Sequence, residues 1–174
     1  ARLWWSLRYY GHTQVAVLDG GWQKWLDEGH PTTTEIPTIE PAVFMPRLNP
    51  NLRKTADDVA SKLHSATHLI DVRTPEEFAR KSSRAKRKGH IPSAINLPRI
   101  QLVAPDGTMP PPASLRDRFA AAGVDETTSE TIFYCNGGVS ASYGLLALTI
   151  AGLQGAVYDG SWKDWGNDDT RPIE

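Results

Sequence analysis

Sulfur and surplus charge are what this chain has least of. Among its 174 residues stands a single cysteine, Cys135, so no internal disulfide can form. A reducing, cytoplasmic setting is the expectation, with a periplasmic one left open. No His/Cys pair at metal-ligand spacing accompanies that cysteine, so neither a metal nor another cofactor is expected. Basic and acidic residues nearly cancel, 19 against 20, which removes the global field that would mark a nucleic-acid or membrane-surface protein. No apolar run is long enough to span a bilayer, and the mean hydropathy is negative. The length suits one ordinary domain with a sizeable core, plus some extra chain.

What the chain does have is an internal repeat. Val17-Leu18-Asp19-Gly20-Gly21-Trp22-Gln23-Lys24-Trp25 returns 140 residues later as Val157-Tyr158-Asp159-Gly160-Ser161-Trp162-Lys163-Asp164-Trp165. Val, Asp, Gly and both Trp are identical, and chance seldom sets two tryptophans in register. The period is domain-sized, far above that of solenoids or propellers. The expected organisation is the tail of a truncated first domain over 1–31, an interdomain linker over 32–54 and a nearly whole second domain over 55–174. The tail is expected to hold a helix, a strand and a final helix, which without their own sheet must pack on the second copy, another chain or a missing piece of the first domain. The linker reading rests on Pro31, Pro37, Pro41, Pro46 and Pro50 among threonines, a composition that disfavours helix and suits an extended surface connector.

The second copy alternates helical and extended patterns. Thr55-Ala56-Asp57-Asp58 has the form of a capping box opening a helix to about His64. His68 to Arg73 reads as a short buried strand, Pro75 to Phe78 as a short helix, Ile91 to Leu97 as another extended piece, and Leu115 to Ala122 as a helix closed by Gly123. Thr131 to Tyr134 is the strand that delivers Cys135, Ser140 to Ala151 the helix behind it, and Ala156 to Tyr158 a further strand. Such alternation predicts an α/β fold, a doubly wound parallel sheet with helices on both faces. Ligands in such folds bind beyond the carboxyl ends of the strands, where Cys135 falls.

Cys135 is therefore the candidate nucleophile. A thiolate at a strand's carboxyl end, ringed by the N–H groups of Asn136, Gly137, Gly138, Val139 and Ser140 and facing a helix N-terminus, is stabilised as the reactive anion. Cysteine phosphatases need an arginine after five intervening residues to grip a phosphate, and that position is Ala141 here. An arginine at the sixth loop position is likewise absent, replaced by Ser140. A cradle of peptide amides, with hydroxyls from Ser140 and Ser142, suits a small anion such as a persulfide's terminal sulfur. Asp71 and Arg73 are expected to fix the loop beneath the site by hydrogen bonds or an ion pair, His90 to be a turn residue, and Trp162 and Trp165 to lie in the core.

Four segments together resemble the rhodanese family of sulfurtransferases, in particular the tandem-domain thiosulfate and 3-mercaptopyruvate enzymes. They are Leu69-Ile70-Asp71-Val72-Arg73-Thr74-Pro75-Glu76-Glu77-Phe78, Gly89-His90-Ile91-Pro92-Ser93-Ala94-Ile95-Asn96-Leu97-Pro98, Tyr134-Cys135-Asn136-Gly137-Gly138-Val139-Ser140-Ala141-Ser142, and the repeated Asp-Gly-x-Trp-x-x-Trp. The resemblance implies a catalytic rhodanese-like domain over 55–174 beside an inactive first domain. It implies that Cys135 takes a sulfane sulfur from thiosulfate or 3-mercaptopyruvate as a persulfide and passes it to cyanide or a thiol. A non-catalytic interaction module of the same fold is the alternative. Where the tandem enzymes carry an anion-binding arginine, this chain has Glu77. The neutral Asn136-Gly137 pair tilts the donor toward mercaptopyruvate. Six cations lie between Arg80 and Lys88, and among them Arg87 is expected to bind the donor.

Overall fold

A computed structural model describes all 174 residues. In chain order the elements are α1 (Arg2–Tyr9), α2 (Gly21–Asp27), β1 (Arg53–Lys54), α3 (Ala56–Lys62), β2 (Thr67–Asp71), α4 (Pro75–Phe78), β3 (Ile95–Asn96), α5 (Pro112–Ala121), β4 (Glu130–Tyr134), α6 (Val139–Ile150), β5 (Ala156–Tyr158) and α7 (Ser161–Trp165). The five strands form one sheet in the order β1-β5-β4-β2-β3, and every pairing is parallel.

The strand sequences show why the sheet is covered on both sides. Successive side chains of a strand point to opposite faces. Leu69, Ile132 and Tyr134 enter a core with Val59 of α3, Tyr158 and the fully buried Trp162 and Trp165 of α7. Their neighbours Ile70, Phe133 and Cys135 enter the larger core with Leu115 and Phe119 of α5 and Leu145 and Leu148 of α6. Each such side chain contributes about 2 kcal/mol by leaving water, so burial on both faces holds β2 and β4 at the centre of the sheet. α6 comes close to β4 through Gly144, where an added Cβ would lie 2.6 Å from the Phe133 ring. That close approach sets the middle of α6 against β4.

Several elements depart from their expected form. The extended piece Ile91–Leu97 is a strand only at Ile95–Asn96. Upstream, the Ile91 N–H donates to the Tyr134 hydroxyl at 3.2 Å, and Ser93 turns with φ +66°. Between α1 and α2 no strand forms, because no strand of the sheet pairs with Val15 to Leu18. The connector expected over 32–54 ends early: Arg53 and Lys54 join the sheet as β1, beside Val157 and Tyr158. α1 packs against α6, with Trp4 and Trp5 buried in the larger core and the Trp5 indole N–H donating to the Leu52 carbonyl at 2.8 Å. α2 buries nothing; its Trp22 is 62 % exposed, while the repeat counterpart Trp162 is fully buried. No helix is long and apolar enough to cross a membrane.

Candidate active site

Cys135 follows the last residue of β4, and the chain then turns through Asn136, Gly137 and Gly138 into α6. Gly138 has φ +79°, which favours glycine there, and an added Cβ would come 3.0 Å from the Asp159 carbonyl oxygen and 2.5 Å from the Arg2 guanidinium. Arg2 itself reaches from α1 to pair with Asp159 at 2.7 Å.

A residue that sequence reasoning passed over holds this loop. The Ser161 hydroxyl accepts the N–H groups of Cys135 (3.2 Å) and Gly138 (3.1 Å) and donates to the Tyr158 carbonyl (2.8 Å). Ser161 is itself buried and in the left-handed region at φ +57°. Two further bonds fasten the loop's other side: the amides of Trp162 and Lys163 donate to the carbonyls of Cys135 (2.9 Å) and Asn136 (3.0 Å). The amides of Asn136, Gly137, Val139, Ser140 and Ala141 then have no protein acceptor. The expected cradle is corrected in two places: Gly138 spends its N–H on Ser161, and Ser142 turns its hydroxyl back to the Gly138 carbonyl at 2.7 Å. The Ser140 hydroxyl is unpaired and half-buried, and Val139, 62 % exposed, stands at the rim. With five free amides at the start of a twelve-residue helix, the site favours a small anion.

Cys135 is 4 % exposed and lies in a cleft of about 550 Å³ whose walls include Thr74, Arg99, Ile100, Ser140 and Lys163. A larger concavity of about 620 Å³ contains Trp4, Arg8 and Glu130, at the amino end of β4, and holds no cysteine or histidine. Of the two, only the cleft at the carboxyl end contains a candidate nucleophile.

Asp71 and Arg73 lie below the loop with side chains shut off from solvent. The guanidinium donates from Nε to both Asp71 oxygens at 3.0 Å, from Nη2 to Oδ2 at 2.6 Å and to the Gly89 carbonyl at 2.8 Å, and it packs 4.5 Å from the Trp162 ring centre. Burial opposes the Arg73 charge, but the Asp71 bonds and charge outweigh it and raise its pKa, so the guanidinium stays charged. Burial also pushes the Tyr134 phenol well above its ordinary value, keeping it neutral where it accepts the Ile91 amide.

Glu77 has a part that its sequence position concealed. Thr74 and Glu77 form a capping box on α4, and the buried carboxylate accepts the Asn136 side-chain amide at 2.9 Å. It orients the first loop residue; no anion could approach this carboxylate favourably.

Arg87, expected as a donor-binding cation, is elsewhere. Its guanidinium caps the end of α7, donating to the carbonyls of Gly166 (3.3 Å), Arg171 (2.8 Å), Trp165 (2.9 Å) and Asp168. Helix C-terminal carbonyls attract a cation, and here that demand consumes the side chain. His90 stacks on Phe78 with ring centres 3.7 Å apart and contacts the Phe78 carbonyl.

Comparison with known proteins agrees with this fold. Residues 55–168 match the model of the rhodanese-like domain. The chain is 38 % identical over 170 residues to thiosulfate sulfurtransferase of Bos taurus, covering 94 % of this chain and 57 % of that protein. It is 36 % identical over 185 residues to a putative thiosulfate sulfurtransferase of Haloferax volcanii, covering 100 % and 64 %. With the sulfur carrier protein TtuD of Thermus thermophilus it shares 33 % identity over 182 residues, covering 96 % and 64 %. Among solved structures, an EanB variant with ergothioneine covalently linked to a persulfide cysteine superposes with a TM-score of 0.89 at 28 % identity, over 99 % of this chain and 44 % of that one. The chain thus spans less than two thirds of the length of these relatives.

Proposed function

Because the chain belongs to the rhodanese-like domain family, we propose that it is a sulfurtransferase working through a Cys135 persulfide. The observation that carries this reading is the surroundings of Cys135: a thiol in an open-ended cleft, next to five amides that no protein group uses. The Cys135 thiolate attacks the outer sulfur of a donor. With thiosulfate, a bond forms between Sγ and that sulfur, the sulfur–sulfur bond of the donor breaks, and its electron pair leaves on sulfite. The enzyme keeps a persulfide anion, whose terminal sulfur then passes to cyanide or a thiol and returns the thiolate. The free amides and the α6 dipole stabilise the negative charge in both states, in a site already organised before the donor arrives. Thiosulfate and 3-mercaptopyruvate are the proposed donors: with 3-mercaptopyruvate the carbon–sulfur bond breaks and its electron pair leaves on the enolate of pyruvate, and for thiosulfate the reading leans on the names of the bovine and haloarchaeal relatives.

The same reading assigns residues 1–31 to a first rhodanese-like copy. It leans on the Asp-Gly-x-Trp-x-x-Trp repeat and on Trp22, exposed where Trp162 is buried. The 4 % exposure of Cys135 is the observation that favours a second reading, an interaction module without chemistry.

One experiment separates the two. Intact-mass measurement after incubation with thiosulfate or 3-mercaptopyruvate is expected to show one added sulfur on the wild-type protein and none on Cys135→Ser. A wild-type protein that gains no sulfur from either donor, and resists alkylation by iodoacetamide, is the interaction module.

A further inference from the structure

A sulfur donor has two ends. One sulfur enters the amide cradle at Cys135, and the remaining anionic group, a sulfonate or a carboxylate, stays outside it in the mouth of the cleft. An anion held there needs a cation, and loop residues Asn136 and Gly137 supply none.

Four cationic side chains line the cleft: Arg73, Arg84, Arg99 and Lys163. Arg73 is spent on Asp71 and the Gly89 carbonyl. Arg84 stands 3.7 Å from Glu77 and is 74 % exposed. Lys163 and Arg99 have no carboxylate within 4.0 Å; the Arg99 guanidinium lies 5.8 Å from the Tyr143 ring centre. Lys163 is also tied to the loop. Its amide donates to the Asn136 carbonyl at 3.0 Å, and its Cδ lies 3.9 Å from the point a Cβ on Gly137 would occupy. The lysine stem thus borders the space that a loop side chain at position 137 would enter.

We propose that Lys163, aided by Arg99, binds the anionic end of the sulfur donor, so that a residue of α7 provides the charge the loop lacks. This rests on the sulfurtransferase reading and adds a specificity to it. Two unpaired cations suit a dianion better than a monoanion. The site is therefore adapted to a sulfonate-type donor such as thiosulfate, in spite of its neutral loop.

The test is the rate of persulfide formation in the complete protein, followed by intact mass over a range of thiosulfate and, separately, 3-mercaptopyruvate concentrations. Lys163→Gln is expected to lower the second-order constant for thiosulfate by about tenfold, the scale of one partly solvated charge contact. The rate at saturating thiosulfate falls far less, and the constant for 3-mercaptopyruvate falls less than that for thiosulfate. Lys163→Glu loses more than Lys163→Gln, and Lys163→Arg recovers most of the loss. Raised ionic strength slows the wild-type protein more than Lys163→Gln, in which Arg99 alone remains. If the wild-type protein takes up sulfur while Lys163→Gln and Lys163→Glu match it at every thiosulfate concentration, the assignment of Lys163 is wrong and the Cys135 mechanism stands. If the wild-type protein takes up no sulfur, the sulfurtransferase reading is wrong, and this proposal with it.

Discussion

Removing one hydroxyl at Ser161 tests how the Cys135 loop is held. In Ser161→Ala the amides of Cys135 and Gly138 lose their acceptor and the Tyr158 carbonyl loses a donor, all in a place closed to solvent. A buried amide left without a partner costs about 1–3 kcal/mol, and the carbonyl, with a second lone pair, costs less. Local relaxation returns part of this, and the net expectation is about 2–4 kcal/mol lost. A domain of this size has roughly 5–15 kcal/mol to lose, so the variant still folds. Ser161→Gly makes the same deletion but releases the side chain from φ +57°, which returns about 1 kcal/mol. Urea unfolding followed by circular dichroism is expected to order the three proteins as wild type, Gly, Ala. The freed amides also let the loop shift, so persulfide formation from thiosulfate is expected to slow by about tenfold or more, since small misplacements at a reacting centre are costly. Wild-type stability in Ser161→Ala would refute the proposed staple. A glycine variant weaker than the alanine variant would refute the backbone argument alone.

Two more perturbations follow from the site and its frame. Asp71→Asn keeps the side chain's size but leaves the Arg73 guanidinium buried without its counter-ion, and is expected to cost about 3–5 kcal/mol in chemical unfolding. The capping box on α3 gives a pH signature. The Thr55 amide and hydroxyl, each 2.8 Å from the carboxylate, hold Asp58 below its ordinary pKa, so the unfolded chain takes up this proton at higher pH than the folded one. The contribution of Asp58 is thus complete above its unfolded value of about 4 and is lost as pH falls through the lower folded value. Asp58→Ala is expected to lose about 1 kcal/mol at neutral pH, and its unfolding curve is expected to converge on the wild-type curve in acid.

How much of this was legible in the sequence depended on whether a residue's neighbours in space were also its neighbours in the chain. β2, β4, β5 and α6 could be read because their apolar runs are local and are buried on both faces of the sheet. β1 could not: Arg53 and Lys54 are two polar residues at an edge, and only β5 beside them makes a strand of them. Cys135 and its glycines were readable from a strand, a turn and a helix in succession. Ser161, Glu77 and Lys163 were not, because their distance from the loop is set by tertiary packing and not by spacing. Arg87 misled for a related reason. A run of cations reads as a solvated face, and nothing local reveals that four carbonyls between Trp165 and Arg171 converge on one of its members. One signal for Ser161 was present and unused. The internal repeat aligns it with Gly21, and both have positive φ, +68° and +57°. A glycine in that column marks a backbone position that serine occupies only at a cost.

That cost follows from the parallel sheet. β4 and β5 run side by side, Ile132 beside Ala156 and Phe133 beside Val157, so their carboxyl ends deliver the nucleophile loop and the start of α7 to the same place. The loop's polar groups must then be divided between structure and chemistry. The first three residues of α7 take two loop amides through Ser161 and two loop carbonyls through the Trp162 and Lys163 amides. A regular strand-to-helix entry would not turn the Ser161 side chain back toward the loop; the left-handed φ does. The amides of Asn136, Gly137, Val139, Ser140 and Ala141 are left over because the other bonds that fix the loop, from Glu77 and Ser142, fall on the Asn136 side chain and the Gly138 carbonyl. The loop is thereby held without using up the donors that a sulfur anion needs. Any substitution that fastened it through those five amides would stabilise the fold and disable the site.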